Sequence, residues 1–203
     1  MDVRVFRLLD EERRAKFVSM LSRLQTPAPG MKVFVDMPRE EFEAFIRTCH
    51  ATFQQLQVEI LAELLAIEAQ RRTLTKRSAE VPRLDSWHWL VRKLADSIAW
   101  MLIGPDNLWI ARRLCKFGWG DEALTSLTHS NYESVMEFVT NHNAADPDSF
   151  ALMSDITSFV HLGDALVREK TGLRTVELKE GAVNEMLMAR LESDSDPKGF
   201  ERN

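Results

Sequence analysis

Asp164, Glu177 and Lys179 are two acids and a base in the last quarter of the chain, with Asp164 thirteen residues before Glu177. Strand residues alternate faces with a period of two. Within Thr175-Val176-Glu177-Leu178-Lys179, Val176 and Leu178 therefore take one face and Glu177 and Lys179 the other. A hard cation such as Mg²⁺ prefers oxygen ligands at about 2.1 Å and keeps several waters, so two carboxylates and a backbone carbonyl suffice to hold it. A neighbouring lysine can stabilise charge on a phosphate or orient the attacking water. Metal-assisted cleavage of a phosphodiester is the chemistry that such a set serves.

The elements around these residues must bring them together. Gly163 to Val167 and Arg174 to Lys179 read as two apolar strands joined through a Glu-Lys-Thr-Gly turn, which would set Asp164 alongside Glu177. From Phe150 to Lys179 the composition is strand-like, with Thr157, Phe159, Val160, Leu166, Val167, Val176 and Leu178 among the β-favouring or apolar residues. Glu180-Gly181 ends the last strand, and Ala182 to Leu191 reads as a helix before a polar tail.

A helix, a strand with Gly-Asp, a strand carrying Glu-x-Lys and a following helix resemble the PD-(D/E)XK nuclease superfamily. Val176-Glu177-Leu178-Lys179-Glu180-Gly181 is the best-matching string. The resemblance covers the chain from about Tyr132 onward. It implies a small C-terminal mixed β-sheet of restriction-endonuclease-like type flanked by helices (131–203), which together with the helical N-terminal region (1–130) read from apolar spacing gives an α+β fold. It also implies Mg²⁺ or Mn²⁺ as cofactor, Asp164 and Glu177 as metal ligands with help from the Leu178 carbonyl, and Lys179 as the third catalytic group. Glu133 or Glu137, on the preceding helix, would supply an outer acidic ligand. Gly163 stands where the superfamily often has proline. The fourth strand of the family's core is not evident after Gly181, and Met31 to Met37 is the one candidate for it.

Upstream the sequence is helical. Asp10 can cap a helix to Leu24 with an apolar stripe of Phe17, Met20, Leu21 and Leu24. Pro38 opens a long helix to about Arg72. Its Phe42, Ile46, Cys49, Phe53, Leu56, Ile60, Leu64 and Ile67 form a seam that fits either a bundle or a homodimer. Helices follow at about 84–103, ended by Gly104-Pro105-Asp106, then at 107–117 and from Tyr132 to Asn141. The pair around Gly104 loosely resembles a helix-turn-helix. That would put Arg112, Arg113 and Lys116 on a nucleic-acid-binding helix.

Composition narrows the classes. The formal net charge is −5, yet residues 71–116 hold ten Lys or Arg against four acids, which fits one basic surface on an acidic protein. Cys49 and Cys115 are too few for a disulfide framework, and together with the charged N-terminus they give a cytoplasmic expectation. No apolar run is long enough for a membrane span. His50, His88, His129, His142 and His161 lack zinc-site spacing, although His161 lies three residues before Asp164. There is no Gly-rich phosphate loop and no nucleophile elbow. The alternative to a nuclease is a non-catalytic interaction or DNA-binding protein on an inactive nuclease-like scaffold.

Overall fold

A computed structural model describes residues 3–25, 38–104, 127, 131–160 and 162–178. In chain order the elements are α1 (Val3–Arg7), α2 (Glu11–Gln25), α3 (Arg39–Thr73), α4 (Val81–Ile103), α5 (Tyr132–Ala145), β1 (Phe150–Met153), a 3-10 turn (Ser154–Ile156), β2 (Ala165–Glu169) and β3 (Gly172–Val176). The architecture is α+β, mostly helical, with a small three-stranded sheet towards the C-terminal end.

Local chemistry sets the helix limits. Asp10 Oδ1 accepts the Arg13 N–H at 2.8 Å, which caps α2 as its sequence suggests. Pro38 precedes α3, Glu40 and Glu41 lie in its first turn, and Arg71 and Arg72 lie in its last, all in accord with the helix dipole. Gly104 ends α4 at φ +66°, with its N–H on the Trp100 carbonyl at 3.0 Å.

α3 and α4 fold back on each other as a helical hairpin, and α2 packs across both. The α3 seam is used within the chain: Cys49, Phe53, Leu56, Ile60, Leu64 and Ile67 are buried, while Phe42 at its start is exposed. α4 is apolar around most of its circumference, with Leu84, Trp87, Leu90, Val91, Leu94, Ala95, Ile98, Ala99, Leu102 and Ile103 all buried. A helix that is apolar on nearly every side belongs inside a protein. Trp87 meets Phe17 of α2 edge-on at 6.5 Å and donates its indole N–H to Glu63 Oε2 at 3.1 Å.

The sheet is an antiparallel meander in the order β1-β2-β3. Its closing pair is Glu169↔Gly172, so the Glu-Lys-Thr-Gly hairpin is present with Lys170-Thr171 as its tip. All four β1 residues are buried, because α5 and α3 cover the strand. Helices and sheet share a single apolar core.

Three expectations need correction. The sheet of the described residues is antiparallel, not mixed. The strands sit closer to the turn than the alternation suggested: β2 begins at Ala165 and β3 ends at Val176, so Gly163-Asp164 precedes β2 and Glu177 follows β3. The ladder stops there because Gly163, at φ +73°, bends the chain out of the strand conformation. The helix from Tyr132 runs to Ala145, beyond Asn141. The segments expected at 31–37, 107–117 and 182–191 lie outside the described residues.

Candidate active site

Gly163 creates the local geometry. A Cβ at this position would lie 2.7 Å from the Val176 carbonyl oxygen and 3.1 Å from Thr175 Cβ, so the strand approach needs the missing side chain as well as the positive φ. The approach lets the Asp164 N–H reach the Val176 carbonyl at 2.7 Å, while the Asp164 carbonyl accepts the Ser154 N–H at 2.9 Å. Asp164 Oδ2 accepts the Leu178 N–H at 2.6 Å. Main chain and side chain of this one residue thus tie together the 3-10 turn after β1, the head of β2 and the exit of β3. Val176 and Leu178 pack on the core while Glu177 is exposed, as the period-two reading requires.

Ala165↔Val176 is the last ladder pair, so Asp164 and Glu177 are the next residues outward on the two strands. Beyond that pair the Asp164 N–H turns to the Val176 carbonyl, so the ladder does not continue as an Asp164–Glu177 pair. The Leu178 N–H fixes one Asp164 oxygen, and Oδ1 has no hydrogen bond to a described residue.

Among the described residues no three His, Cys, Asp or Glu side chains converge on one point. Neither Glu133 nor Glu137 therefore joins the pair as a third ligand. Both are exposed on α5, and Glu133 Oε1 accepts the Tyr132 hydroxyl at 3.2 Å. The reason is the orientation of α5, which turns Val135 and Val139 to the core and its acids to solvent. Lys179, Arg112, Arg113, Lys116 and His161 lie outside the described residues.

No family model, curated protein or solved structure matches this chain.

Sequence reasoning passed over the groups that hold the β1–β2 connection. Arg92, 3% exposed in α4, donates from Nη1 to the carbonyls of Asp155 and Thr157, both at 2.6 Å. Asp96, one turn later and 4% exposed, accepts the Ser158 N–H at 2.7 Å and the Ser158 hydroxyl at 2.5 Å. Lys93 Nζ reaches Asp96 Oδ2 at 2.7 Å and Ser158 Oγ at 2.9 Å. Burial disfavours the Arg92 cation and lowers its pKa. His88 lies beside it at Nε2···Nε 3.3 Å, and its pKa is lowered to about 4 by burial first and the Arg92 charge second. One signal was available: Arg92 and Asp96 fall within an apolar helix, where a charged side chain must find buried partners.

The outer edge of β1 is closed by side chains. Asn143 of α5 accepts the Ala151 N–H at 2.6 Å and donates to the Ala151 carbonyl at 3.0 Å. Gln57, fully buried in α3, also donates to that carbonyl at 3.2 Å and accepts the Met153 N–H at 3.3 Å. A cleft of about 350 Å³ beside this edge is lined by Arg47, His50, Gln54, Asn143 and Phe150 among others. Its polar groups have partners in the fold: Arg47 binds Asp148 at 2.6 Å and His50 Nδ1 meets the Pro147 carbonyl at 3.0 Å. Burial holds the His50 pKa below the ordinary histidine value and raises that of Cys49 to about 11, so the thiol stays protonated at neutral pH. Among the described residues no helix is long and apolar enough to cross a membrane.

Proposed function

We propose that this chain is a metal-dependent nuclease of restriction-endonuclease-like fold, hydrolysing phosphodiester bonds of DNA or RNA. The observation that carries the reading is the tie of Asp164 to the exit of β3, through its N–H to the Val176 carbonyl and its Oδ2 to the Leu178 N–H, the two residues that flank Glu177. The order α5-β1-β2-β3, with the acid at the head of β2 and Glu177 at the foot of β3, supports it. So does the resemblance of Gly163-Asp164 and Val176-Glu177-Leu178-Lys179 to the PD-(D/E)XK motif.

In this reading Asp164 and Glu177 hold Mg²⁺ or Mn²⁺, and the Leu178 carbonyl assists. The bound ion supplies charge neutralisation at the scissile phosphate and acidifies water. Asp164 is held by the Leu178 N–H, which keeps its carboxylate aimed without reorganisation. Glu177, exposed at the strand exit, completes the pair. Lys179, two residues on in the sequence, orients the attacking water and stabilises the charge that builds on the phosphoryl oxygens. Two cysteines, too few for a disulfide framework, suit action in a reducing compartment.

A second reading has one specific observation in its favour. The Leu178–Asp164 bond is also what a purely structural aspartate would make. In that case the chain is an interaction protein on an inactive scaffold. The test is cleavage of single- and double-stranded DNA and RNA with Mg²⁺ or Mn²⁺, with a chelator control. Glu177→Ala and Lys179→Ala should each abolish cleavage while the circular dichroism stays that of the parent. Metal-dependent cleavage that survives both substitutions rules out this site, and no cleavage of any substrate by the parent leaves the scaffold reading.

A further inference from the structure

The end of α3, the turn after it and α4 carry charge opposite to that of the whole chain. From Arg71 to Gly104 there are seven Lys or Arg against three acids, a balance of +4 in a protein of net charge −5. Lys76 and Arg77 stand exposed in the connection that leads into α4. α4 hides most of its surface, and the stripe it leaves in solvent follows the helical repeat through Trp89, Lys93, Ser97 and Trp100. Both tryptophans are 39% exposed. They lie about 16 Å apart along the helix at 1.5 Å per residue.

The rings are presented in order, with a cation between them. Lys93 Nζ lies 5.6 Å from the Trp89 ring centroid. Trp100 stacks on Phe159, with centroids 4.9 Å apart and planes at 16°. Phe159 belongs to the connection pinned by Arg92 and Asp96, and stands five residues before Asp164. The stripe therefore leads from a basic turn, over two aromatic platforms, to the segment that carries the candidate site.

We propose that this face binds an unpaired nucleic-acid strand, with bases stacking on Trp89 and on the Trp100–Phe159 pair and phosphates attracted by Lys76 and Arg77. Every base has a π-face, so aromatic platforms hold single strands with little sequence preference. The local positive balance supplies the phosphate attraction that the rest of the acidic chain lacks. The inference rests on the nuclease reading for its purpose, where it names the substrate class: single-stranded DNA or RNA, or the unpaired parts of a duplex.

Binding is measured apart from cleavage, by fluorescence anisotropy of dye-labelled single-stranded and duplex oligonucleotides with the full chain in chelator. Single strands should bind more tightly than duplex. Trp89→Ala and Trp100→Ala should each weaken binding on the order of tenfold, and Trp89→Phe should retain most of it. Lys76→Glu with Arg77→Glu should weaken binding and flatten its salt dependence by roughly 0.7 per cation removed. Failure of the folded parent to bind single strands overturns the proposal, as does equal affinity for duplex or parent-like binding by the tryptophan variants. A dimer that Trp100→Ala dissolves, with no oligonucleotide binding, assigns the face to a second copy and also overturns it. The two readings separate cleanly. Tryptophan-dependent binding without Mg²⁺-dependent cleavage keeps this surface and removes the nuclease, whereas cleavage unaffected by the tryptophan variants does the reverse.

Discussion

Asp96→Ala should destabilise the fold by about 2–3 kcal/mol, and the structure gives the reason. The carboxylate is 4% exposed and receives the Ser158 N–H and hydroxyl at 2.7 and 2.5 Å. Hydrogen bonds to a charged acceptor contribute roughly 1.5–3 kcal/mol each. Losing both leaves the Ser158 amide without its acceptor, an added cost of about 1–3 kcal/mol where the group stays buried. Two effects oppose this. Removing a buried carboxylate relieves its desolvation. The side chain of Lys93 is 42% exposed, so its charge returns to water instead of being stranded. The net value therefore falls towards the lower end of the about 3–5 kcal/mol seen when a buried pair is broken. Asp96→Asn keeps an acceptor for the Ser158 N–H and should cost about 1 kcal/mol. Urea unfolding reads both directly. With a slope of about 2–3 kcal/mol per molar, the Ala variant should lower the midpoint by about 1 M and the Asn variant by less than half that. Hydrogen exchange should show the Ser158 amide losing protection ahead of the β2 amides. A midpoint unchanged within about 0.2 M, or an Asn variant as damaging as Ala, would refute the assignment of Asp96 as the anchor of this connection.

Other substitutions probe the remaining joints. Gly163→Ala forces a Cβ to within 2.7 Å of the Val176 oxygen at φ +73° and should cost about 2–4 kcal/mol, visible as a lower melting temperature and a disturbed Asp164 amide resonance. Asn143→Ala removes the sole side-chain acceptor described for the Ala151 N–H and should cost about 1–3 kcal/mol in denaturant, with faster exchange at that amide. For pH, the folded His88 pKa of about 4 lies below the ordinary value near 6.5, so the unfolded chain binds more protons between them. Its contribution is complete above about pH 6.5 and is lost as pH falls towards 4. A His88→Gln variant should show a shallower stability slope in that window. A slope as steep as the parent's would exclude His88 as its source.

The helices were legible because their apolar spacing is a local property. Phe17, Met20 and Leu24 are buried as the α2 stripe requires, and the α3 seam from Cys49 to Ile67 faces the core. The hairpin at Glu169–Gly172 was legible from its turn residues. Strand limits were not, because a pattern of alternation runs past the point where Gly163 bends the chain, and Glu177 alternates correctly while already beyond the ladder. The buried polar groups were hidden for a different reason. Gln57, Asn143, Arg92 and Asp96 acquire partners from segments 8 to 96 residues away, and no local pattern carries that information. The pairing of Asp164 with the β3 exit could be read in outline, but its bond to the Leu178 amide depends on a side-chain orientation that spacing does not specify.

The closure of β1 by Gln57 and Asn143 has a directional consequence. A sheet grows by offering backbone donors and acceptors to a newcomer, and on this side those of Ala151 and Met153 already face amide side chains that would have to be displaced first. Among the described residues, β3 is therefore the side at which this sheet can be extended without such displacement, by a further segment of its own chain or by an extended strand from another molecule. The flank of growth is also the flank where Glu177 leaves the ladder. Whatever strand is added there would arrive beside Glu177, so enlargement of the sheet and access to that carboxylate are one steric question.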